Sequence, residues 1–426
     1  MMAASPRSHR EAGVPSVTSP SADRTVLHVD CNCFFVSCHV ARDAGLAGRA
    51  VAVAGDPARR SGVVLSASYE ARRFGIQGAM PLARALALCP GLVVLAPDFA
   101  LYRERSAQVL GLLREYSPQV EPFSIDEAWL DLGGCSGLVA SPAAAAQQIQ
   151  RRARCELGLP VSIGIAENKL LAKMASGRRK PEGITTLRRA DVPLCLWPLP
   201  VEDLFGVGPA LGRRLASWNV RTIGDLAALG PDFCERRLGL AGRRLWAAAH
   251  GRDDSPVDPQ AGGRPRSIGS ATTLGRDVRT LGEARPILLG LVEKVARRLR
   301  QHELAAAALT VTMRSGDFRD STRTSRLPAP TDLTMELFEA SVALAQPRLD
   351  GAAGYRLLGV TAQDLRPAAA AIRRPSLLDG GAGAREVEAR RALDRAGDAI
   401  RERFGEGALM PAALLPARTG SPRQAG

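Results

Sequence analysis

Nowhere in the 426 residues is there a run of about 18 apolar side chains, so no membrane-spanning helix is expected. The eight cysteines, Cys31, Cys33, Cys38, Cys89, Cys135, Cys155, Cys195 and Cys234, form no Cys-x-x-Cys pairs and have no histidine partners at zinc-like intervals. That excludes the common structural zinc sites and reads as reduced thiols of a cytoplasmic protein. Residues 1–23 are rich in Ser, Pro and Ala and lack the apolar centre of a secretory leader; they read as a disordered tail. Acidic charge is in deficit, with 57 Lys and Arg against 43 Asp and Glu, a formal +14 and a pI near 10.2. This balance favours a polyanionic partner, and without a membrane span a soluble nucleic acid is preferred over lipid. The length suggests roughly three domains.

Against that basic background one acidic stretch stands out, Phe123-Ser124-Ile125-Asp126-Glu127-Ala128-Trp129-Leu130-Asp131. Two adjacent carboxylates interrupt an apolar, strand-like run. Neighbours on a strand point to opposite faces, so Asp126 and Glu127 converge only if the chain turns or bulges between them. A further acid, Asp30, ends the apolar run Val26-Leu27-His28-Val29. Three carboxylates on sheet backbone would suit Mg²⁺, which takes hard oxygen ligands and leaves room for substrate phosphates. Acids at strand ends are also ordinary turn residues, and these residues alone leave both readings open.

Taken in order, the chain alternates strands and helices up to about residue 176, an α/β pattern. Strands are expected at 50–54, 62–66 and 161–165, and helices at 99–113, 143–157 and 168–176. Tyr69 and Arg72 lie three apart near a helix start, where hydroxyl and guanidinium could grip a phosphate. An exposed Arg packing on a Tyr ring explains the spacing equally well. Lys169 opens the next helix and, alone, is a solvated lysine. From Pro193 to His250 the composition turns helical around Leu204-Phe205-Gly206-Val207-Gly208-Pro209. Gly206 and Gly208 would let backbone amides approach a phosphate, as in a helix-hairpin-helix. No strand precedes this loop and no third glycine follows, so it is not a dinucleotide fingerprint. Beyond a Pro/Gly/Asp-rich linker the order strand, helix, strand, strand, helix, strand over 267–362 matches a ferredoxin-like split βαβ domain. Thr280 and Glu283 form a capping-box pair at its first helix. Arg314, Arg319, Arg323 and Arg326 would turn one side of its sheet to a phosphate backbone. The last 60 residues are Ala-, Arg- and Gly-rich, with one helix-like segment near 387–404 and disorder expected elsewhere.

Together these residues resemble a known family. Asp30 with Phe34-Phe35, then Ser68-Tyr69-Glu70-Ala71-Arg72, Ser124-Ile125-Asp126-Glu127-Ala128 and Lys169-Leu170-Leu171-Ala172-Lys173 look like a Y-family translesion DNA polymerase, nearest the bacterial polymerase IV branch. The resemblance spans about residues 24–366. It implies an α+β multidomain fold shaped like a right hand: a palm at 24–190 with fingers inserted at about 42–98, a helix-hairpin-helix thumb at 191–256, a linker at 257–265, a ferredoxin-like little finger at 266–366 and a largely disordered tail at 367–426.

It further implies two Mg²⁺ ions held by Asp30, Asp126, Glu127 and the Cys31 carbonyl, with Glu127 near the primer 3′-hydroxyl. Ser66, Tyr69, Arg72 and Lys169 would hold the triphosphate of a deoxynucleotide, and Phe35 would exclude a ribose 2′-hydroxyl. Gly206, Gly208, Arg314, Arg319 and Arg323 would bind primer–template DNA, with the protein a monomer. Asn32 stands where the polymerase IV branch usually has Asp. Pro375–Asp379 lies where the family places its sliding-clamp peptide, but lacks the Gln and terminal Phe. Two other readings are a DNA-binding accessory protein with a dead palm, which should have lost one of the three acids, and a nucleotidyl cyclase, which would not need the Gly206-x-Gly208 loop. Neither accounts for the residues as well as a polymerase without proofreading.

Overall fold

A computed structural model describes residues 24–56, 62–135, 140–263, 265–349, 354–371, 382–405 and 407–412. The expected tail at 1–23 and the Pro375–Asp379 segment lie outside the described residues. From the N-terminus the elements are β1 (Val26–Cys31), α1 (Phe34–Arg42), β2 (Val51–Ala54), β3 (Val64–Ala67), α2 (Tyr69–Arg73), α3 (Leu82–Leu88), β4 (Val93–Leu95), α4 (Phe99–Arg114), β5 (Val120–Pro122), β6 (Glu127–Asp131), α5 (Pro142–Leu157), β7 (Val161–Ala166), α6 (Lys169–Gly177) and β8 (Ile184–Thr186). Then come α7 (Val192–Cys195), α8 (Pro209–Ala216), α9 (Ile223–Ala228), α10 (Pro231–Leu238) and α11 (Leu240–Ala249). The last part holds β9 (Ile268–Val278), α12 (Leu281–Gln301), β10 (Leu304–Ser315), β11 (Asp320–Thr331), α13 (Thr334–Leu349), β12 (Tyr355–Pro367) and α14 (Ala382–Phe404). The chain divides into two compact units, one of Met1–Val53, Ser66–Gln77 and Cys89–Gly262, the other of Ala54–Leu65, Gly78–Leu88 and Gly263–Gly426.

The first unit is built on a five-stranded sheet ordered β5-β6-β1-β7-β8. Its central strand β1 is antiparallel to both neighbours. Side chains on a strand alternate between faces, and β1 uses both. Leu27, Val29 and Cys31 enter the core that also buries Phe34, Tyr102, Leu113 and Ile149, whereas Val26 belongs to the core on the other side, with Trp129 and Leu171. Local signals fix the helix starts: the side chains of Asp98, Ser141 and Asn168 accept the backbone N–H groups of Leu101, Ala144 and Leu171, which satisfies otherwise orphaned donors. Gly164 on β7 lets α6 approach closely, since a Cβ there would sit 1.9 Å from the Ala172 carbonyl oxygen.

The second core of this unit runs on without a break into the helices after residue 190. Leu171, Ala175, Leu187, Val192, Leu204, Leu215, Leu226 and Leu245 form one buried cluster, so the boundary that the resemblance implies at 190/191 lies within a continuous core. Part of the expected linker is equally tied down. Asp253 accepts the Leu170 N–H at 3.0 Å, Glu121 accepts the Asp258 N–H at 2.7 Å, and Val257 is buried.

The second unit contains a four-stranded antiparallel sheet ordered β11-β10-β12-β9. Each β-α-β half is split by a strand of the other: β12 lies between β9 and β10, and β10 between β11 and β12. The Thr280 and Glu283 capping box forms as expected, and Leu288, Val295, Leu299, Leu309, Val311 and Leu358 fill the core between helices and sheet. In the tail, α14 falls on the helix-like segment expected near 387–404, beginning at Ala382, and it is pinned by charge. Arg300 grips Asp398 through two hydrogen bonds of 2.6 and 3.0 Å and reaches Asp394 at 3.2 Å, while Arg401 pairs with Glu293 at 2.8 Å.

Candidate active site

Asp30 and Glu127 stand directly opposite each other on β1 and β6, which puts their side chains on one face of the sheet. His28 opposes Trp129, and Glu121 opposes the same Trp129 from β5, so the α6-facing side of the sheet carries a row of polar groups. Three lysines answer the three acids in this row. Lys169 Nζ lies 2.7 Å from both Glu121 oxygens, Lys173 Nζ lies 2.7 Å from Glu127 Oε2, and Lys180 Nζ lies 2.6 Å from Asp30 Oδ2. For the two lysines on α6 the spacing matches that of their acids, because one helical turn of about 5.4 Å is close to two strand residues, about 6.6 Å, and Glu121 opposes Trp129 two residues beyond Glu127. Asp30, Glu127, Lys173 and Lys180 line a cleft of about 600 Å³ together with Asp203 and Phe205.

Electrostatics in the cleft are those of a shared proton. Burial, reinforced by neighbouring Glu127, pushes the Asp30 carboxyl up to about 7 although Lys180 opposes the shift. Burial works against the Glu127 charge too, but hydrogen bonds from Asp30 and Lys173 outweigh it and hold Glu127 below its ordinary value. His28 is fully buried, and burial, aided by Lys173, lowers its pKa to about 3. It is therefore neutral. Ser176 Oγ donates to the Lys173 carbonyl at 2.9 Å and so accepts from His28 Nδ1–H at 2.8 Å, which leaves the Nε2 lone pair without a partner, 4.0 Å from Glu127 Oε2. Hard carboxylate oxygens compensated by lysine ammonium groups, which a cation can replace as counter-charge, are a donor set that fits a divalent cation.

Of the acids expected to meet, two do. Asp126 precedes β6 in a bend, its carboxylate accepts from Ser124 Oγ, and it borders a small cavity with Cys31 and Ser106 instead of the cleft. Among the described residues no three His, Cys, Asp or Glu side chains are assembled to hold a metal. Cys31 is tied to this bend, its N–H donating to the Asp126 carbonyl at 2.9 Å. Lys169, expected at a triphosphate, is held instead by Glu121 and lies over the Trp129 ring at 4.5 Å; the lysines in the cleft are Lys173 and Lys180. Tyr69 keeps a buried hydroxyl with no partner, and burial pushes that phenol up to about 12. The exposed Arg72 packs over the Tyr69 ring at 4.9 Å, and Ser66 is half-buried on β3. Phe34 is buried, whereas Phe35 is half-exposed and stacked on Tyr102 with ring centroids 4.3 Å apart.

Asn32, fully buried, donates to Ser162 Oγ at 3.0 Å and accepts the Glu182 N–H at 2.8 Å. It anchors the segment that delivers Lys180, and a neutral amide there adds no third charge beside Asp30.

The impB/mucB/samB family model matches residues 29–177, its C-terminal domain residues 265–374, and the helix-hairpin-helix motif of the same family residues 189–220. The chain is 41% identical over 396 residues to a DNA polymerase IV of Moorella thermoacetica, covering 93% of this chain and 97% of that one. It is 39% identical over 338 residues to a DNA polymerase IV of Clostridium kluyveri, covering 79% and 84%. The chain belongs to the bacterial DNA polymerase IV family. It is a Y-family, translesion DNA-directed DNA polymerase. A chimeric Y-family DNA polymerase, Dbh-Dpo4(243-245)-Dbh, shares the fold with a TM-score of 0.72 at 22% identity, over 80% of this chain and 98% of that chain.

Elsewhere on the polymerase, Gly206 adopts φ +99° and the space where its Cβ or that of Gly208 would lie is open, so the loop before α8 exposes backbone. The arginines on the four-stranded sheet do not share one side. Arg314 pairs with Asp320 at 2.6 Å, and Arg319 pairs with Asp317 at 2.9 Å in the turn before β11. Arg323 stands opposite Val311, a residue of the helix-covered core, while Arg326, three positions on, falls on the open face by strand alternation. No described helix is long and apolar enough to cross a membrane.

Proposed function

We propose that Asp30 and Glu127, joined by Asp126 after its side chain leaves Ser124, bind two Mg²⁺ ions and that primer extension occurs between them and the adjoining lysines. The observation that carries this reading is the cross-strand opposition of Asp30 and Glu127 with Lys180 and Lys173 as their counter-ions. Bound there, divalent cations would activate the primer hydroxyl and neutralise charge on the leaving pyrophosphate. The chain's own residues position the reactants. Lys180, displaced from Asp30, moves to the triphosphate alongside Tyr69 and Arg72. The unpartnered Tyr69 hydroxyl is a donor without an acceptor in the free protein, which a phosphate oxygen would supply. Phe35, backed by Tyr102, presents a ring edge to the sugar. The loop at Gly206 and Gly208 holds the duplex backbone through amide N–H groups, and Arg314 and Arg326 on the open face of the second sheet add phosphate contacts.

Steady-state kinetics on a defined primer–template test the assignment. Lys180→Ala should raise the KM for deoxynucleotide by roughly tenfold, the loss of one charge-assisted contact, with primer–template affinity unchanged. An unchanged KM would remove Lys180 from the nucleotide site.

A further inference from the structure

Once cations occupy the proposed site, Lys173 is no longer needed as the counter-ion of Glu127, and two exposed aromatic rings lie beside it. Phe123 precedes the acidic bend and Phe205 precedes Gly206. Both rings are large, apolar and exposed, at 46% and 39%, and they meet edge to face with centroids 5.8 Å apart. The Lys173 ammonium lies 4.7 Å from the Phe123 centroid and 5.4 Å from that of Phe205. A cation over two ring faces is held by their quadrupoles as well as by its ion pair. Lys173 therefore has a seat that does not depend on Glu127.

That independence decides what happens when Glu127 is taken by a cation. The ammonium loses its carboxylate, keeps its aromatic seat, and faces the cleft needing an anion. The anion nearest to hand follows from the loop that supplies Phe205. Gly206 and Gly208 are exposed and carry no side chain to hold a strand's phosphates off the backbone, so a strand lying on that loop and ending at Glu127 passes Lys173 at its last linkage. We propose that Lys173, seated between Phe123 and Phe205, is a positioning residue that binds the phosphodiester of the primer's 3′-terminal linkage. In this role it exchanges Glu127 for a phosphate as the site loads and fixes the distance of the terminal hydroxyl from Glu127. The inference rests on the proposed active site.

Two primers that differ only at the 3′-terminal linkage, phosphodiester or neutral methylphosphonate, separate this role from general charge. Equilibrium binding is measured by fluorescence anisotropy with Mg²⁺ and no nucleotide, so the readout does not depend on turnover. Wild type should bind the charged primer about tenfold more tightly. Lys173→Met should bind both primers alike, Lys173→Arg should keep the preference, and Phe205→Ala should fall between. Lys173→Met should keep wild-type affinity for the methylphosphonate primer and lose affinity only for the charged one, whereas a misfolded variant would weaken both. Primer extension by wild type, run in parallel, tests the active-site reading separately. A wild type indifferent to the linkage, or a Lys173→Met variant that keeps the tenfold preference, would overturn the proposal.

Discussion

Asp30 and Glu127 face each other across adjacent antiparallel strands, close enough to share a hydrogen bond that leaves the proton on Asp30 and the charge on Glu127. This pair sets how the metal-free protein responds to pH. Asp30 titrates near 7 when folded against an ordinary 3.8, so between those values the folded protein holds a proton that the unfolded chain has lost. Stability from this group accordingly falls as pH rises from about 4 to 7. Asp30→Asn, which cannot ionise, should melt above wild type at pH 8 without divalent cations and match it near pH 4. A constant difference in melting temperature across that range would show that Asp30 does not carry the proton.

A second expectation concerns α14. The Arg300 side chain is 10% exposed and ion-paired to Asp394 and Asp398, so truncating it strands two carboxylates at a partly buried interface. Arg300→Ala should cost about 3 kcal/mol or more in urea unfolding of the full chain. A loss under about 1 kcal/mol would mean that the helix is held by other contacts.

Gly164 offers a sharper packing test. Any Cβ there overlaps the Ala172 carbonyl and the Ser176 N–H, both backbone, so α6 must shift with the lysines it carries. Gly164→Ala should destabilise by about 3 kcal/mol, the upper end for overpacking, and reduce extension along with stability. A variant as stable as wild type would contradict the close approach of α6 to β7.

Phe35 separates a sugar gate from a core aromatic. With Phe34 buried in the core and Phe35 half-exposed on Tyr102, Phe35→Ala should raise ribonucleotide incorporation by more than about tenfold, roughly 1.4 kcal/mol of discrimination. If the ring only packs, truncation would instead cost roughly 3–5 kcal/mol of stability with sugar selectivity unchanged. Melting temperature and the ribo-to-deoxy incorporation ratio, measured together, distinguish the two.

Much of this was legible in the sequence because it is written locally. The β1 run ending in Asp30, the capping box of Thr280 and Glu283, and the β-α-β-β-α-β order each depend on neighbours a few residues apart, and each appears where its pattern falls. What was not legible depends on pairing between distant segments. Lys169 and Lys173 occupy the same helical face, and which acid each reaches is decided by the register of β5 on β6, which spacing along the chain does not encode. Lys180 enters the cleft on a segment held from far along the chain, by Asn32 at the Glu182 N–H across 150 positions and by Gln150 at the Glu182 carbonyl. Arg323 and Arg326 look equivalent in composition, yet strand alternation puts them on opposite faces. The docking of α14 went unread for the same reason, since Arg300 and Asp398 are 98 residues apart.

The central claim is that the carboxylates on β1 and β6 and in the bend before β6 perform the reaction. Single-turnover primer extension by Asp126→Ala and Glu127→Ala, with primer–template affinity measured on the same preparations, tests it most directly. Extension should fall by more than about 10³-fold, roughly 4 kcal/mol of transition-state stabilisation, while affinity for primer–template stays within a few-fold of wild type. Extension by either variant at the wild-type rate would contradict the assignment.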